Sequence, residues 1–139
     1  MTAVDFSPVA LAKAECLAQS RNVDVEWIAA DLLEYEPGGP FDFVVVLYLQ
    51  LPADERRLVL RQAADALCAG GTVLVCGHDL TNLTEGHGGP TRAEVLFTPD
   101  DIVKELPALT VERAERVVRD GAIDALVRAT RPHDSRVPA

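Results

Sequence analysis

The sequence lacks the features that would place the protein on a membrane, outside the cell or on a nucleic acid. No apolar run is long enough to span a bilayer, and the N-terminus has neither a basic segment nor an apolar signal region. The basic residues form no patch, and a formal net charge of −9, from 22 acidic and 13 basic side chains, would repel a phosphate backbone. We therefore expect a cytoplasmic protein that binds neither membranes nor nucleic acids.

Cysteine is also scarce, with only Cys16, Cys68 and Cys76 in the chain. Their odd number, wide spacing and apolar neighbours argue against a disulfide or a metal site. Such cysteines usually act as small hydrophobic side chains. We predict three buried free thiols and no metal.

What the sequence does contain is the material for one compact, soluble domain of 139 residues, with 48% hydrophobic and 25% charged residues. Its longest apolar run covers residues 41–51, between the turn-forming residues 38–40 and Pro52. A valine- and leucine-rich run without polar alternation is typical of a strand that is buried on both faces of a parallel sheet. We predict that this strand is central, with helices on both sides of the sheet.

Before this run, residues 2–5 predict a short strand, and Ser7 and Pro8 are good residues to cap and start a helix. The helix should end near Ser20. Residues 23–30 then predict a second strand, which ends at Asp31. The proposed buried stripe of the helix consists of Ala10, Ala14 and Leu17.

After the run, Pro52 and the acidic residues behind it predict the start of a second helix. Residues 72–77 predict another buried strand. Strands that alternate with helices indicate parallel strands with right-handed crossovers, which is the doubly wound α/β class. The apolar stripe of the helix consists of Leu60, Ala63, Ala64 and Leu67, and its solvent-facing stripe consists of Arg57, Arg61 and Asp65.

Residues 78–98 have the glycine and polar content of a long loop, which suggests a functional lid. Within it, His78, Asp79 and His87 lack the spacing of metal ligands. We favour a structural role, in which His78 and Asp79 end a strand and tie down the loop, over a catalytic one.

The C-terminal part begins with a short helix, capped at Thr98 and running to Leu106. Apolar residues then recur with helical spacing on both sides of Asp120 and Gly121, a pair typical of a hairpin turn. The pattern alone slightly favours helices. Residues 132–139 read as a flexible tail, which leaves residues 1–131 as the domain.

The order of these elements resembles class I S-adenosylmethionine-dependent methyltransferases of the small, tellurite-resistance-like type. Five stretches carry the resemblance, and it covers nearly the whole chain up to Arg131. They are Thr2-Ala3-Val4-Asp5-Phe6-Ser7, Ala30-Asp31-Leu32, Phe41-Asp42-Phe43-Val44-Val45, Leu67-Cys68-Ala69-Gly70-Gly71-Thr72 and Phe97-Thr98-Pro99-Asp100-Asp101.

The resemblance implies a Rossmann-like, mainly parallel sheet that ends in an antiparallel hairpin, with residues 110–118 and 122–130 as its strands. It also implies that a first strand and a glycine-rich turn precede the segment that begins at Met1, so the sequence reads as N-terminally truncated. That strand would lie between the strands at Ala3 and Phe43, so its absence would open the sheet and leave two apolar edges. We accordingly expect a marginally stable chain that associates with itself and binds its cofactor weakly.

The resemblance further implies S-adenosylmethionine as the cofactor and a small molecule as the methyl acceptor. Asp5 matches the acidic residue that accepts hydrogen bonds from both ribose hydroxyls, although it could simply cap the helix. Asp31 and Leu32 match the neighbours of the adenine, although Asp31 could be an ordinary strand-ending residue. The implied cofactor-binding residues are Asp5, Phe6, Asp31, Leu32, Leu47 and Tyr48, with Tyr48 as plain core the alternative.

No catalytic residue follows from the sequence, because methyl transfer from a sulfonium mainly requires that the acceptor be held in line. Two further interpretations stay open beside the enzyme. One is a non-catalytic methyltransferase remnant, or an oligomerising fragment that pairs its open edges. The other is half of a nicotinamide-dinucleotide domain, which Asp5 would serve equally well but Asp31 and the terminal hairpin disfavour.

Overall fold

A computed structural model describes residues 1–133 of the chain. These residues divide into two compact units, Met1–Glu36 and the described residues from Pro37 onward. All but two residues of the predicted tail, 132–139, lie outside the described residues. The domain boundaries stay a prediction. In the described part of the chain, no helix is long and apolar enough to cross a membrane.

The first unit is a strand–helix–strand motif, with β1 (Thr2–Asp5), α1 (Pro8–Ser20) and β2 (Glu26–Ala29). The strands pair in parallel and align Asp5 with Ala29. The Ser7 hydroxyl caps α1 by accepting a hydrogen bond from the Ala10 backbone N–H at 3.2 Å. Strand, cap and helix therefore follow the prediction.

The buried stripe of α1 differs from the predicted one. Leu11, Ala14 and Ala18 are its sheltered residues, whereas Leu17 is 58% exposed and Ala10 is also exposed. The helix carries apolar residues all around its circumference, so their spacing alone does not decide which stripe is buried.

Cys16 lies on the exposed side of α1, so its predicted burial is wrong. Cys68 and Cys76 are partly buried, and all three cysteines are free. Burial raises the pKa of the Cys76 thiol, which keeps it protonated and unreactive.

The second unit is built on a four-stranded sheet in the order β3-β4-β6-β5. Its strands are β3 (Phe41–Leu47), β4 (Leu67–His78), β5 (Thr110–Arg119) and β6 (Ala122–Thr130). β3 and β4 are parallel, and β6 pairs antiparallel with both β4 and β5. The C-terminal hairpin implied by the family resemblance is therefore confirmed.

The hairpin turn explains why helical spacing is overruled here. Asp120 and Gly121 have φ values of 50° and 84°. Positive φ at both central residues defines the tight turn that matches the twist of antiparallel strands. This turn reverses the chain within two residues, so the flanking segments lie side by side and pair as antiparallel strands.

Both longer helices of this unit, α2 (Ala53–Asp65) and α4 (Pro99–Glu105), contribute to one core. Leu60 and Ile102 are fully buried there against strand residues such as Val73 and Val127. Thr98 and Asp101 form a reciprocal capping box at the start of α4, as expected from the sequence.

The prediction that β3 is buried on both faces is wrong. Val44 and Val46 pack against the core, but Phe43, Val45 and Leu47 are 57%, 49% and 55% exposed. The described helices of this unit pack on a single face of its sheet, so the alternate residues of β3 face outward.

The predicted lid between β4 and α4 is shorter than expected. This segment contains a short helix, α3 (Asn82–Glu85), and a 3-10 turn at Ala93–Val95. Its ends belong to the core, because Asp79 and Phe97 are 0% and 2% exposed and form an isolated parallel bridge. The stretch that stays largely exposed is residues 83–94.

Candidate functional site

The first unit places two carboxylates at the ends of neighbouring parallel strands. Asp5 ends β1, and Asp31 follows two residues after the end of β2. The Ala30 backbone N–H donates to the Asp5 carbonyl oxygen at 3.2 Å, which extends the pairing to this edge. Carboxyl ends of parallel strands are where ligands bind in open α/β sheets.

Both carboxylates are held by the backbone through one oxygen only. Asp5 Oδ1 accepts a hydrogen bond from Ser7 N–H at 2.7 Å, and Asp31 Oδ1 accepts one from Leu33 N–H at 2.9 Å. The second oxygen of each makes no hydrogen bond to a residue that the structure describes. Asp5 thus supports the start of α1 and still has an acceptor oxygen for a ligand.

The apolar neighbours of these carboxylates differ in exposure. Phe6 is 78% exposed directly after Asp5, whereas Leu32 is half-buried. An exposed ring beside a carboxylate can stack on a planar group, and a half-buried leucine can pack on one edge of it.

The other predicted cofactor residues, Leu47 and Tyr48, belong to the second unit and lie at the end of β3. Tyr48 has φ 52°, which is uncommon for a residue with a bulky side chain. Its backbone N–H donates to the Cys76 carbonyl oxygen at 2.7 Å, and its hydroxyl donates to Asp124 Oδ2 at 2.8 Å. Tyr48 is therefore a constrained polar residue and not plain core.

A second cluster of polar side chains surrounds the Asp124 carboxylate. Asp124 is 2% exposed on β6 and aligns with His78 at the end of β4. Arg119 Nε lies 3.2 Å from both Asp124 Oδ2 and the Tyr48 hydroxyl oxygen. His78 Nδ1 lies 3.2 Å from Asp124 Oδ1. We call Tyr48, His78, Arg119 and Asp124 the Asp124 cluster.

The surroundings of the Tyr48 hydroxyl keep it protonated. Partial burial and, next, the hydrogen bond to Asp124 raise the pKa of Tyr48 above its ordinary value. Tyr48 therefore stays a neutral donor at physiological pH. The Arg119 guanidinium also lies 5.5 Å from the centre of the tyrosine ring, which holds the ring by a cation–π contact.

The exposed loop packs directly against His78. A Cβ built on Gly89, which has φ 76°, would lie 2.8 Å from His78 Nε2 and 2.6 Å from Cδ2. Only a glycine fits at this position, because of both the close approach and the positive φ. The loop is attached on its other side by Asn82, which bonds the Gly88 carbonyl oxygen and the Ile123 N–H, each at 2.8 Å.

Asp79 has the structural role that the sequence favoured. Its Oδ1 accepts hydrogen bonds from the Thr81 N–H and hydroxyl and from Arg116 Nε, all between 2.7 and 2.9 Å. It therefore fixes the start of the loop to β5. His87 lies at the turn between β5 and β6, where its backbone N–H donates to the Gly121 carbonyl oxygen at 3.0 Å.

Sequence reasoning missed Arg119, Asp124 and Gln50. Gln50 supports the cluster, since its side chain accepts from His78 N–H at 2.8 Å and donates to the Val95 carbonyl oxygen at 2.6 Å. One signal could have revealed Asp124, because an ionisable residue inside an otherwise apolar strand requires buried partners. The helical spacing of the apolar residues around Asp124 obscures this signal.

Comparison with known proteins agrees with the predicted family. The family profile described as "Methyltransferase domain" matches residues 1–71. No curated protein matches. The profile covers just over half of the 139 residues, and it includes both carboxylates of the first unit.

Several solved structures resemble the chain. The N-methyltransferase NodS from Bradyrhizobium japonicum WM9, in complex with S-adenosyl-l-homocysteine, has a TM-score of 0.75 at 20% identity, over 95% of this chain and 66% of NodS. TehB from Haemophilus influenzae has a TM-score of 0.71 at 11% identity, over 94% of this chain and 49% of TehB.

A third is the magnesium protoporphyrin IX methyltransferase ChlM from Synechocystis PCC 6803 with bound SAM. It has a TM-score of 0.71 at 18% identity, over 94% of this chain and 58% of ChlM. The chain thus spans about half to two thirds of the length of these three proteins. At such identities the likeness shows the fold, and it confirms the predicted Rossmann-like α/β class.

Proposed function

We propose that this chain, which belongs to the methyltransferase-domain family, binds S-adenosylmethionine and serves methyl transfer to a small-molecule acceptor. The observation that carries the proposal is the pair of carboxylates, Asp5 and Asp31, at the carboxyl ends of adjacent parallel strands. NodS and ChlM, which resemble the chain in fold, were solved with S-adenosyl-l-homocysteine and SAM.

The residues of the first unit fit such a cofactor. The second oxygen of Asp5 can accept hydrogen bonds from ribose hydroxyls, and that of Asp31 can accept one from an exocyclic amine. Phe6 and Leu32 would pack on the adenine. For Leu47 and Tyr48, at the end of β3, contact with a cofactor stays a prediction from the family resemblance.

The cofactor, when bound, supplies a methyl group that its sulfonium already activates. What remains for the protein is to hold the acceptor's nucleophile in line, at about 3–3.5 Å, and to exclude water. A proton acceptor is needed only when the nucleophile must lose a proton.

Titration calorimetry with S-adenosyl-l-homocysteine, up to millimolar ligand, tests this proposal. We expect Asp5→Ala to weaken binding by about 1–3 kcal/mol, because two buried ribose hydroxyls would lose their shared acceptor. Asp31→Ala should have a smaller effect, since it removes one hydrogen bond at an exposed position. Asp24→Ala, at an exposed residue of the same unit, is the matched control and should bind as the wild type does.

Equal affinity in the wild type and Asp5→Ala would contradict the assignment of Asp5. Binding of a nicotinamide dinucleotide in preference to S-adenosyl-l-homocysteine would instead favour a dinucleotide-binding domain.

One observation favours a second candidate function, self-association through the second unit. β3 pairs only with β4 among the described strands, so its other edge has free backbone donors and acceptors. The same strand exposes Phe43, Val45 and Leu47. An unpaired strand edge beside an apolar face is a template for pairing with another chain.

If this face associates, Val45→Lys should raise the concentration for half-association by about tenfold, which corresponds to about 1.4 kcal/mol. The charge would have to be desolvated in the interface. Analytical ultracentrifugation over a concentration series measures this change. Val118→Lys is the control, because Val118 is 72% exposed and lies on β5, the edge strand opposite to β3. An equal effect of the two substitutions would rule out the β3 face as the interface.

A further inference from the structure

The free edge of β3 carries a row of backbone donors and acceptors. Beside this edge, the Tyr48 N–H donates to the Cys76 carbonyl oxygen of β4 at 2.7 Å. Backbone groups of successive residues in a strand point to opposite sides, so every second residue before Tyr48 also bonds to β4. The alternate residues direct their N–H and C=O groups away from β4, where no described strand pairs with them. These outward-directed residues are Phe43, Val45 and Leu47.

The same three residues carry the exposed apolar side chains of β3, and each is roughly half exposed. No charged residue occurs between Phe43 and Leu51, and Asp42 is the nearest one on the N-terminal side. The free edge therefore has no side chain that could form an ion pair with a charged partner. It fits an uncharged, apolar strand.

The opposite edge of the same sheet is protected against such pairing. β5 carries five charged residues among its ten, whereas β3 carries only Asp42. On and beside β5, Arg113 pairs with Glu115, and Arg128 pairs with Glu112. Charged side chains on an edge strand are a common means of preventing association through that edge. Because only one of the two edges is protected in this way, the β3 edge is the one suited to pairing.

Symmetry determines how a second copy of the chain would fit this edge. Closed two-fold dimers bring the same surface of both copies together. A two-fold axis perpendicular to the sheet at Val45 pairs the two β3 strands antiparallel. Val45 then faces Val45 of the second copy, and Phe43 faces Leu47. These become the hydrogen-bonded pairs of an antiparallel ladder, so every outward donor meets an outward acceptor.

A parallel arrangement of the two β3 strands does not achieve this. In a parallel pair the bonded residues are offset by one position, as where Cys76 aligns with Leu47 but accepts from Tyr48. Two identical edges would have to shift by one residue and would lose the two-fold symmetry. The shift would also bring the two Asp42 carboxylates close together, and like charges across strands are destabilising.

From this geometry we infer that two copies of the chain pair antiparallel along β3, with Val45 at the two-fold axis. The pairing joins two four-stranded sheets into one continuous sheet, in which the two β3 strands are the central pair. The inference rests on the self-association proposed above, and it adds the partner, the strand direction and the register.

Hydrogen exchange of the wild-type chain, from micromolar to millimolar concentration, tests whether this edge is paired. The amides of Phe43, Val45 and Leu47 should exchange readily in the monomer. They should become at least about tenfold more protected as the dimer forms, because each gains a hydrogen bond. The amides of Val44 and Val46 bond to β4 at every concentration, so they are the internal control and should change little.

Disulfide formation tests the direction of the strands. We would mix an unlabelled Phe43→Cys chain with a ¹⁵N-labelled Leu47→Cys chain and oxidise the mixture mildly. Hydrogen-bonded antiparallel pairs have Cα atoms about 5.5 Å apart, which suits a disulfide. Mass spectrometry should therefore show mainly the mixed dimer, at least about tenfold above either like pair. Val118→Cys, on the opposite edge strand, is the control and should form no dimer. The background lacks the native cysteines through Cys16→Ala, Cys68→Ala and Cys76→Ala.

The outcomes separate this inference from the self-association on which it rests. A chain that sediments as a monomer at every concentration would overturn both. Association in which Phe43, Val45 and Leu47 gain no more protection than Val44 and Val46 would overturn the strand pairing alone. A like pair of Phe43→Cys chains as the main product would overturn the antiparallel direction. The exchange measurement uses the wild type, so it remains decisive even if a cysteine variant fails to fold.

Discussion

Replacing Arg56 with methionine should reduce the free energy of unfolding of the second unit by about 3–5 kcal/mol, one of the two largest effects we expect. Arg56 forms a bidentate ion pair with Glu105, with Nε–Oε2 and Nη2–Oε1 distances of 2.9 and 2.7 Å. The two side chains are 5% and 6% exposed. Removing the arginine would leave a buried carboxylate without its main partner, because Arg57 reaches Glu105 only at 3.8 Å.

The double substitution Arg56→Met/Glu105→Leu distinguishes this explanation from a loss of packing. If an unpaired buried charge causes the destabilisation, the double variant should recover most of the stability that either single variant loses. Urea unfolding followed by circular dichroism measures the three values. Arg92→Ala is the control, since its pair with Glu94 is more than half exposed and should contribute less than about 1 kcal/mol. A loss below about 1 kcal/mol in Arg56→Met would contradict the prediction.

The sequence predicted the order of the elements well because most of their boundaries have local chemical causes. The Ser7 cap and the Thr98–Asp101 capping box lie where their residue types indicated. Pairs of residues that lie far apart in the sequence have no such local cause and cannot be predicted from it. Arg56 and Glu105 lie 49 residues apart, and helical spacing, which puts Arg56 in line with Leu60, does not indicate the partner of the arginine.

The face that a segment buries was harder to predict than its secondary structure. An alanine-rich helix such as α1 has several equivalent apolar stripes, so the exposure of Leu17 and Cys16 could not be read from spacing. In β3, a continuous apolar run predicts burial on both faces, but burial depends on whether helices pack on both faces of the sheet. Phe43 and Val45 are exposed, so the apolar sequence of the strand does not show that one of its faces lacks a helix.

A family motif was enough to propose Asp5 and Asp31 as ligand-binding residues, a role that stays a prediction, whereas no local pattern indicates side chains that the fold brings together from distant positions. The Tyr48 hydroxyl meets Asp124 across 76 positions of sequence. The hairpin makes this contact, because it places the start of β6 beside the end of β4. Helical spacing in residues 122–130 would have placed Asp124 on a solvated helix face, where a carboxylate needs no explanation.

The other large effect concerns Phe97, which links the core of the second unit to the candidate site. Phe97 is 2% exposed. The guanidinium carbon of Arg56 lies over the phenyl ring, 5.1 Å from the ring centre. A Cβ built on Gly77 would lie only 2.6 Å from the Phe97 ring and 2.9 Å from Gln50 Oε1. The ring therefore supports the end of β4 at the residue before His78.

We expect Phe97→Ala to cost about 3–5 kcal/mol of unfolding free energy, because it removes a buried ring and leaves a cavity. Phe97→Leu refills much of that volume and should cost less than about 1.5 kcal/mol. Urea unfolding gives both values. In Phe97→Ala the His78 amide, which donates to Gln50 Oε1 at 2.8 Å, should also lose protection from hydrogen exchange.

Exchange at His78 separates the two consequences of losing the ring. If Phe97 only fills space, protection of the His78 amide should fall by no more than the global stability does. If it also positions the end of β4, the amide should exchange faster than global unfolding allows, through a local opening that Phe97→Leu restores. An unchanged His78 amide, or a stability loss below about 1 kcal/mol, would show that the end of β4 is held by Gln50 and the strand pairing alone.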